Sequence, residues 1–252
     1  MPSPVFDAEA AAARVVAALL PLADPERAVQ ASRYLKSDLD FLGVSVPGVR
    51  AVVTEADRAR PGLGRDEVLA WARALWRERA HERRIAAIEL LRRHVRLLRP
   101  ADLADVETWV REAHGWAYVD PLAGDIAGPI ALVHPDAWPL IDEWATDEDF
   151  WVRRSALLTL LPGIRRGGLD QERFERYATP MLTEKEFFIR KAIGWVLREA
   201  AKKDPAYVAA WTRVHLDQMS GVTFREAVRR LPAEQAASLQ AIRPRRQGHA
   251  SA

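Results

Sequence analysis

At 252 residues, with 49% apolar and 29% charged side chains, the chain has the balance of a folded globular protein, which excludes a disordered polymer or a membrane bundle. The absence of cysteine excludes disulfides, thiolate nucleophiles and Cys-based zinc or iron–sulfur sites. Formal net charge is only +2, so any binding of nucleic acid must rest on where the charges stand.

Taken in chain order, almost every segment has the 3.6-residue apolar period of an amphipathic helix, and no run alternates with period two. Helices are predicted over residues 7–20, 25–36, 49–60, 65–79, 82–98 and 101–113, followed by a broken one across 116–132. Further helices are predicted over 135–145, 150–161, 171–182, 186–203, 205–219, 224–231 and 233–242. Asp24-Pro25, His134-Pro135 and Asp204-Pro205 support these starts, because proline is best tolerated at the first helical position. No apolar run approaches the roughly 20 residues of a membrane span. Met1 to Ala10 lacks a basic region ahead of an apolar stretch, so a cytoplasmic location and no membrane contact are expected.

Internal repetition is the strongest structural signal. Arg83-Arg84, Arg153-Arg154, Arg190-Lys191 and Arg225-Glu226 each open an apolar helix, at separations of 70, 37 and 35 residues. Seventy is twice thirty-five, so a skipped unit begins near Tyr118-Val119-Asp120. Repeats of this length indicate an all-α, HEAT-like helical-repeat solenoid whose stacked inner helices line a concave face, expected to be basic from the cations that open them. Residues 1–242 are expected to form one repeat domain. Residues 243–252, with Arg243, Arg245 and Arg246, are expected to form a frayed basic tail.

The helix from Lys185 to Lys203 carries the most information. Ile189, Ala192, Ile193, Val196, Leu197 and Ala200 share one apolar stripe, while Lys191, Trp195, Arg198 and Lys202 fall on the opposite side. Trp195 therefore either packs on the next repeat or stands among cations as a ligand-facing indole. Only five of the 37 basic residues are lysine, leaving 32 arginines. Arginine suits bidentate phosphate contacts, and a GC-rich genome yields the same bias; composition leaves both open.

The basic frieze is interrupted at Trp116-Ala-Tyr-Val-Asp120-Pro121, where a carboxylate enters a surface otherwise suited to phosphate. Asp before Pro is a common helix-capping pair, which is the local explanation. The chemical one is that cleavage of an N-glycosidic bond builds positive charge on deoxyribose, which a fixed carboxylate stabilises. Indole faces attract the cationic base of an alkylated purine in the same site.

These segments resemble the AlkD-like DNA alkylation-repair glycosylases. The clearest match is Phe187-Phe-Ile-Arg-Lys-Ala-Ile-Gly-Trp-Val-Leu-Arg-Glu199, and Tyr34-Leu-Lys, Phe41-Leu-Gly-Val-Ser-Val-Pro47, Trp116 to Asp120, Trp151-Val-Arg-Arg154 and Arg225-Glu-Ala agree in order and spacing. The resemblance implies removal of cationic N3- and N7-alkylpurines from duplex DNA, some relatives acting on bulky adducts, and the leading reading is a monofunctional glycosylase. It implies that the damaged base stays stacked, unlike in glycosylases that extrude it. By motif, Asp120 would be the catalytic carboxylate, Trp116 and Trp195 would contact the deoxyribose, and Arg154 would hold a phosphate. Tyr34, Arg190, Lys191 and Arg198 are further candidates for the DNA backbone. Ala117 and Pro121 depart from the family pattern, in which several members have an acid directly after the first tryptophan.

Other signals are set aside. Leu161-Pro-Gly-Ile-Arg165 lacks the second glycine of a helix-hairpin-helix motif and is read as a helix terminator. No two of the six histidines are three or four apart, so no helical metal site and no cofactor are expected. Trp71, Trp76, Trp109, Trp138, Trp144 and Trp211 are assigned to the core, and His114 to a surface turn. No lysine adjoins the Trp116 to Asp120 segment, which argues against Schiff-base lyase chemistry. A monomer is expected. Two other readings stand beside the glycosylase: a non-catalytic reader of damaged or distorted DNA, and a protein-binding scaffold.

Overall fold

The computed structural model describes residues 6–243; Arg245 and Arg246 of the expected tail lie outside them. Among the described residues the chain is helical and has no strand beyond a single isolated bridge between Asp40 and Ala80. Among these described residues no helix is long and apolar enough to cross a membrane. The chain divides into two compact units, Met1–Ala137 and Trp138–Ala252.

The first unit contains α1 (Ala8–Leu19), α2 (Pro25–Leu35), α3 (Val46–Arg58), α4 (Arg65–Trp76), α5 (His81–Arg93), α6 (Leu103–Ala113), α7 (Trp116–Pro121) and α8 (Gly128–Val133). A π-helical turn, Leu122–Ala127, joins α7 to α8. The second unit contains α9 (Trp138–Trp144), α10 (Phe150–Leu158), α11 (Leu161–Arg166), α12 (Gln171–Met181), α13 (Phe187–Ala200), α14 (Pro205–Val214), α15 (Gly221–Val228) and α16 (Ala233–Ile242).

Short polar side chains set the helix starts. Asp7, Asp24, Ser45, Asp170 and Asp204 each accept a hydrogen bond from the backbone N–H three residues on, at 2.9 to 3.3 Å. Asp24 and Asp204 do so immediately before a proline. The segment from Leu161, expected to end a helix, instead forms α11, because Pro162 sits at its start, where no N–H is needed.

The expected tryptophans form the core: Trp71, Trp76, Trp109, Trp144 and Trp211 are buried, and Trp138 lies half-buried under the Arg173 guanidinium, 4.2 Å from its ring centre. The repeat read from the sequence returns as a period of side-chain contacts. Arg50–Glu89, Arg65–Asp102, Trp76–Glu112 and Arg93–Asp57 in the first unit join residues 36 to 39 apart. In the second unit Arg173–Asp142 and Lys191–Glu226 join residues 31 and 35 apart. Each repeat thus fastens to its neighbour by polar bonds one period away, around a core of stacked apolar stripes.

Candidate functional sites on the two units

In the first unit the site begins at a sharp corner. α6 ends at His114, exposed and left-handed with φ 45°, and the extended Gly115 starts α7 by accepting bonds from Tyr118 N and Val119 N, each 3.2 Å. Trp116 is therefore the first residue of α7, and Asp120 follows one turn later on the same face. The intervening Tyr118 and Val119 point into the core. Asp120 is half-buried within the helix, and Gly115 holds the cap position of α7. Of the three Asp-Pro pairs in the chain, this one alone lies inside a helix, which removes the capping explanation for it.

Pro121 has no N–H to return to Ala117, and the ring of Pro129 crowds the carbonyl of Asp125 four residues before it. The π turn lies between these two prolines, where the regular ladder cannot close.

Tyr34, at the end of α2, is 73% exposed and meets the half-buried Trp116 edge to face, with ring centres 5.9 Å apart at 89°. Helix α2 buries none of its own residues, so something else must hold it. Its first residues are tied to the segment after it, since Asp24 N donates to Leu42 O at 2.9 Å, and that segment is fixed by Glu82 of α5, 1% exposed, which accepts backbone N–H bonds from Leu42, Gly43 and Val44 at 3.0, 2.7 and 3.0 Å. Gly43 has φ 80°, and a Cβ there would stand 1.9 Å from the Asp24 carbonyl oxygen, so the turn admits only glycine. Phe41, from the same segment, stacks on His81 at 4.6 Å, and His81 Nδ1 shares a 2.6 Å hydrogen bond with the Tyr118 hydroxyl. Burial pushes the His81 imidazole down, against the opposing charge of Glu82, and pushes the Tyr118 phenol up, so this pair is neutral at pH 7. Segment 37–45, α5 and α7 are thereby fastened behind the Tyr34–Trp116 pair.

In the second unit the candidate residues lie on α10 and α13. The predicted apolar stripe of α13 is buried throughout, and so is Gly194. A Cβ on Gly194 would approach Glu226 Cβ to 2.6 Å and Thr223 O to 3.0 Å, so this glycine lets α15 pack closely against α13. Trp195, next to it, is half-buried. Lys191 and Arg198 both bond to the carboxylate of Glu226 on α15. Burial pushes the Glu226 carboxyl up, but the Lys191 hydrogen bond and the charges of Arg198 and Lys191 hold it below the ordinary glutamate range.

The cations of the repeat motif follow one rule. The first of each pair closes carbonyls ahead of its own helix: Arg83 donates to Ala74 O at 2.9 Å, Arg153 to Glu148 O at 2.8 Å, and Arg190 to Glu184 O at 2.7 Å. The second reaches into the next repeat: Arg84 to Glu112 O at 2.9 Å, Arg154 to Phe188 O, and Lys191 to Glu226. Arg154 is only 2% exposed and lies 5.7 Å from the Phe188 ring centre. The frieze read as a phosphate surface is thus, in large part, the means by which repeats are joined. Sequence reasoning missed Glu226 as the partner of Lys191 and Arg198, although the 35-residue register already placed it opposite Lys191.

The sequence model of the family described as DNA alkylation repair enzyme matches residues 15–231, which spans both units. The chain belongs to this family. The family match covers every candidate named above, from Tyr34 to Arg198. No curated protein sequence matches the chain. The solved structure of a predicted DNA alkylation repair enzyme from Enterococcus faecalis has the same fold, with a TM-score of 0.76 at 24% identity, covering 84% of this chain and 97% of that one. Among the described residues of this family member, no group of three or more His, Cys, Asp or Glu side chains is arranged to hold a metal ion.

Proposed function

We propose that the chain is a monofunctional DNA glycosylase that hydrolyses the N-glycosidic bond of cationic N3- or N7-alkylated purines in duplex DNA, with the base left stacked. The observation that carries this reading is the placing of Trp116 and Asp120 one turn apart on α7, with Asp120 inside the helix whose cap position Gly115 holds. A carboxylate in that position stabilises the positive charge that develops at C1′ as the bond to the purine nitrogen breaks. The bonding electrons neutralise the purine as it leaves, water supplies the oxygen that joins C1′, and the water's second proton is released. No cofactor is required.

In this reading Trp116 and, in the second unit, Trp195 are assigned to the sugar of the damaged nucleotide, and Arg190, Lys191, Arg198 and Tyr34 to the backbone, whereas Arg154, 2% exposed and bonded to Phe188 O, is assigned to joining α10 to α13. That Lys191 and Arg198 bond Glu226 is compatible with such contacts, because an ammonium has three donors and a guanidinium five. The enzyme acts as a cytoplasmic monomer in this proposal.

The test is release of 7-methylguanine from methylated duplex by wild type and Asp120→Asn. The expected result is a loss of about 100-fold or more in the variant, the scale seen when one preorganised electrostatic group is removed from a site. Equal release by both proteins removes Asp120 from the mechanism. Duplex binding by wild type with no release from methyl or bulky adducts leaves the non-catalytic reader instead.

A further inference from the structure

The second unit carries another row of cations, separate from the motif residues. Arg165-Arg166 closes α11, Lys202-Lys203 follows α13 and Arg229-Arg230 follows α15, and all six side chains are exposed. These helices lie side by side, because α13 packs against both α11 and α15. α13 and α15 run in the same direction: Thr223 donates to Arg190 O at 3.1 Å, and Glu226, further along α15, takes Arg198, further along α13. α10 and α11 follow the same sense, since Arg154 reaches Phe188 in the first turn of α13 and α11, downstream, packs on that helix too. The three dyads therefore gather along one edge of the unit, at the C-terminal ends of its helices. At an interhelical spacing of about 8–10 Å the row extends for about 16–20 Å.

A helix C-terminus attracts a cation by its own partial charge, but that effect is confined to the last turn. Here each end carries two, and both members of each later pair, Lys202-Lys203 and Arg229-Arg230, lie beyond the last helical residue. Acids stand beside parts of the row: Glu199 bonds Lys202 at 2.6 Å, Asp204 caps α14, and Glu226 lies near Arg229. The first unit offers a contrast, since Arg92-Arg93, which closes α5, is drawn onto Glu89 and Asp57 at 2.9 and 2.8 Å. Formal charge divides accordingly: Met1–Ala137 holds 18 basic and 20 acidic residues, Trp138–Ala252 holds 19 and 15.

We infer that this edge of the second unit is a sequence-independent contact for the phosphate backbone of duplex DNA. Three pairs of exposed cations at the ends of neighbouring helices match a polyanion with repeated charge, and DNA is the polyanion that a DNA alkylation repair family meets. The inference rests on the reading of the chain as a DNA-acting protein.

The experiment is a salt titration of binding to an unmethylated duplex. Each phosphate contact contributes about 0.9 to the slope of log K against log salt concentration. The combined variant Arg166→Gln, Lys203→Gln, Arg229→Gln, Arg230→Gln is expected to lower that slope by about 3 and to bind at least about 10-fold more weakly at 0.1 M salt. All four positions are exposed, so the thermal melt should stay close to that of wild type. Arg213→Gln, an exposed cation on α14, serves as the control and should leave the slope unchanged. A wild-type slope in the combined variant, or an equal fall in the control, overturns the inference. Wild-type protein without salt-dependent binding overturns the DNA reading along with it, whereas binding without base release overturns only the glycosylase.

Discussion

Glu82 in the first unit and Glu226 in the second are both buried glutamates that stand behind candidate residues, yet they are satisfied in opposite ways. Glu82 takes three backbone N–H groups and so fixes the turn that returns from α2, the helix carrying Tyr34. Glu226 takes two side-chain cations that flank Trp195 on α13. Backbone donors cannot be exchanged for dissolved ions or for a phosphate. Ammonium and guanidinium groups can. The difference indicates that the first unit holds its site by geometry alone, while the second holds its site by charges that salt, acid and a polyanionic ligand all perturb.

The largest effect is expected where geometry is cut. Glu82→Ala leaves three buried or half-buried N–H groups without partners, and at about 1–3 kcal/mol for each orphaned group, partly relieved by entering water, stability should fall by about 3–5 kcal/mol. Urea unfolding at 0.1 M and 1 M NaCl checks this, and the loss should be the same at both. A loss that shrinks in salt would mean that Glu82 acts through charge as Glu226 does, and the contrast between the units would collapse.

Glu226→Gln should cost less, about 1–2 kcal/mol, because Lys191 remains 40% exposed and Arg198 20%, so each ion pair is screened. Here the loss should shrink at high salt. Acid gives a second readout. The folded-state pKa of Glu226 lies below its unfolded value of about 4.3, so its stabilisation is present above that pH and disappears as the pH falls through the folded value. In the Glu226→Gln variant, the acid-induced drop in stability below about pH 4.3 should therefore be smaller than in wild type. Parallel acid curves for the two proteins would show that Glu226 is not held in its charged form by α13.

What could be read from the sequence follows the same division between within-helix and between-helix information. The buried stripe of α13, from Ile189 to Ala200, was fully legible, because core packing imposes its period on a single helix. The repeat length was legible too, and it recurs in Arg50–Glu89 and Lys191–Glu226. The partners of the polar face were not. On an isolated wheel Lys191 and Arg198 point away from the core, and only the neighbouring helix shows that they converge on one carboxylate. Asp120-Pro121 and Leu161-Pro-Gly were ambiguous for a local reason: proline serves both the start and the end of a helix, and α7 ends at Pro121 while α11 starts just before Pro162.

The smallest effect on stability is expected at Pro121, where it sharpens the comparison from the side of the first unit. Alanine there regains the bond from residue 121 N–H to the Ala117 carbonyl and favours the helix, while losing the packing of the ring, so the net change should be a gain of at most about 1 kcal/mol. If the first unit positions its carboxylate by backbone geometry, that small gain should come with a change in base release, because a regular turn at residue 121 alters the start of the π segment that follows Asp120. Thermal melts and release of 7-methylguanine should be measured on the same preparation of Pro121→Ala. Unchanged release alongside the higher melting point would show that the proline plays no part in setting Asp120, and would assign its effect to the π turn and α8 alone.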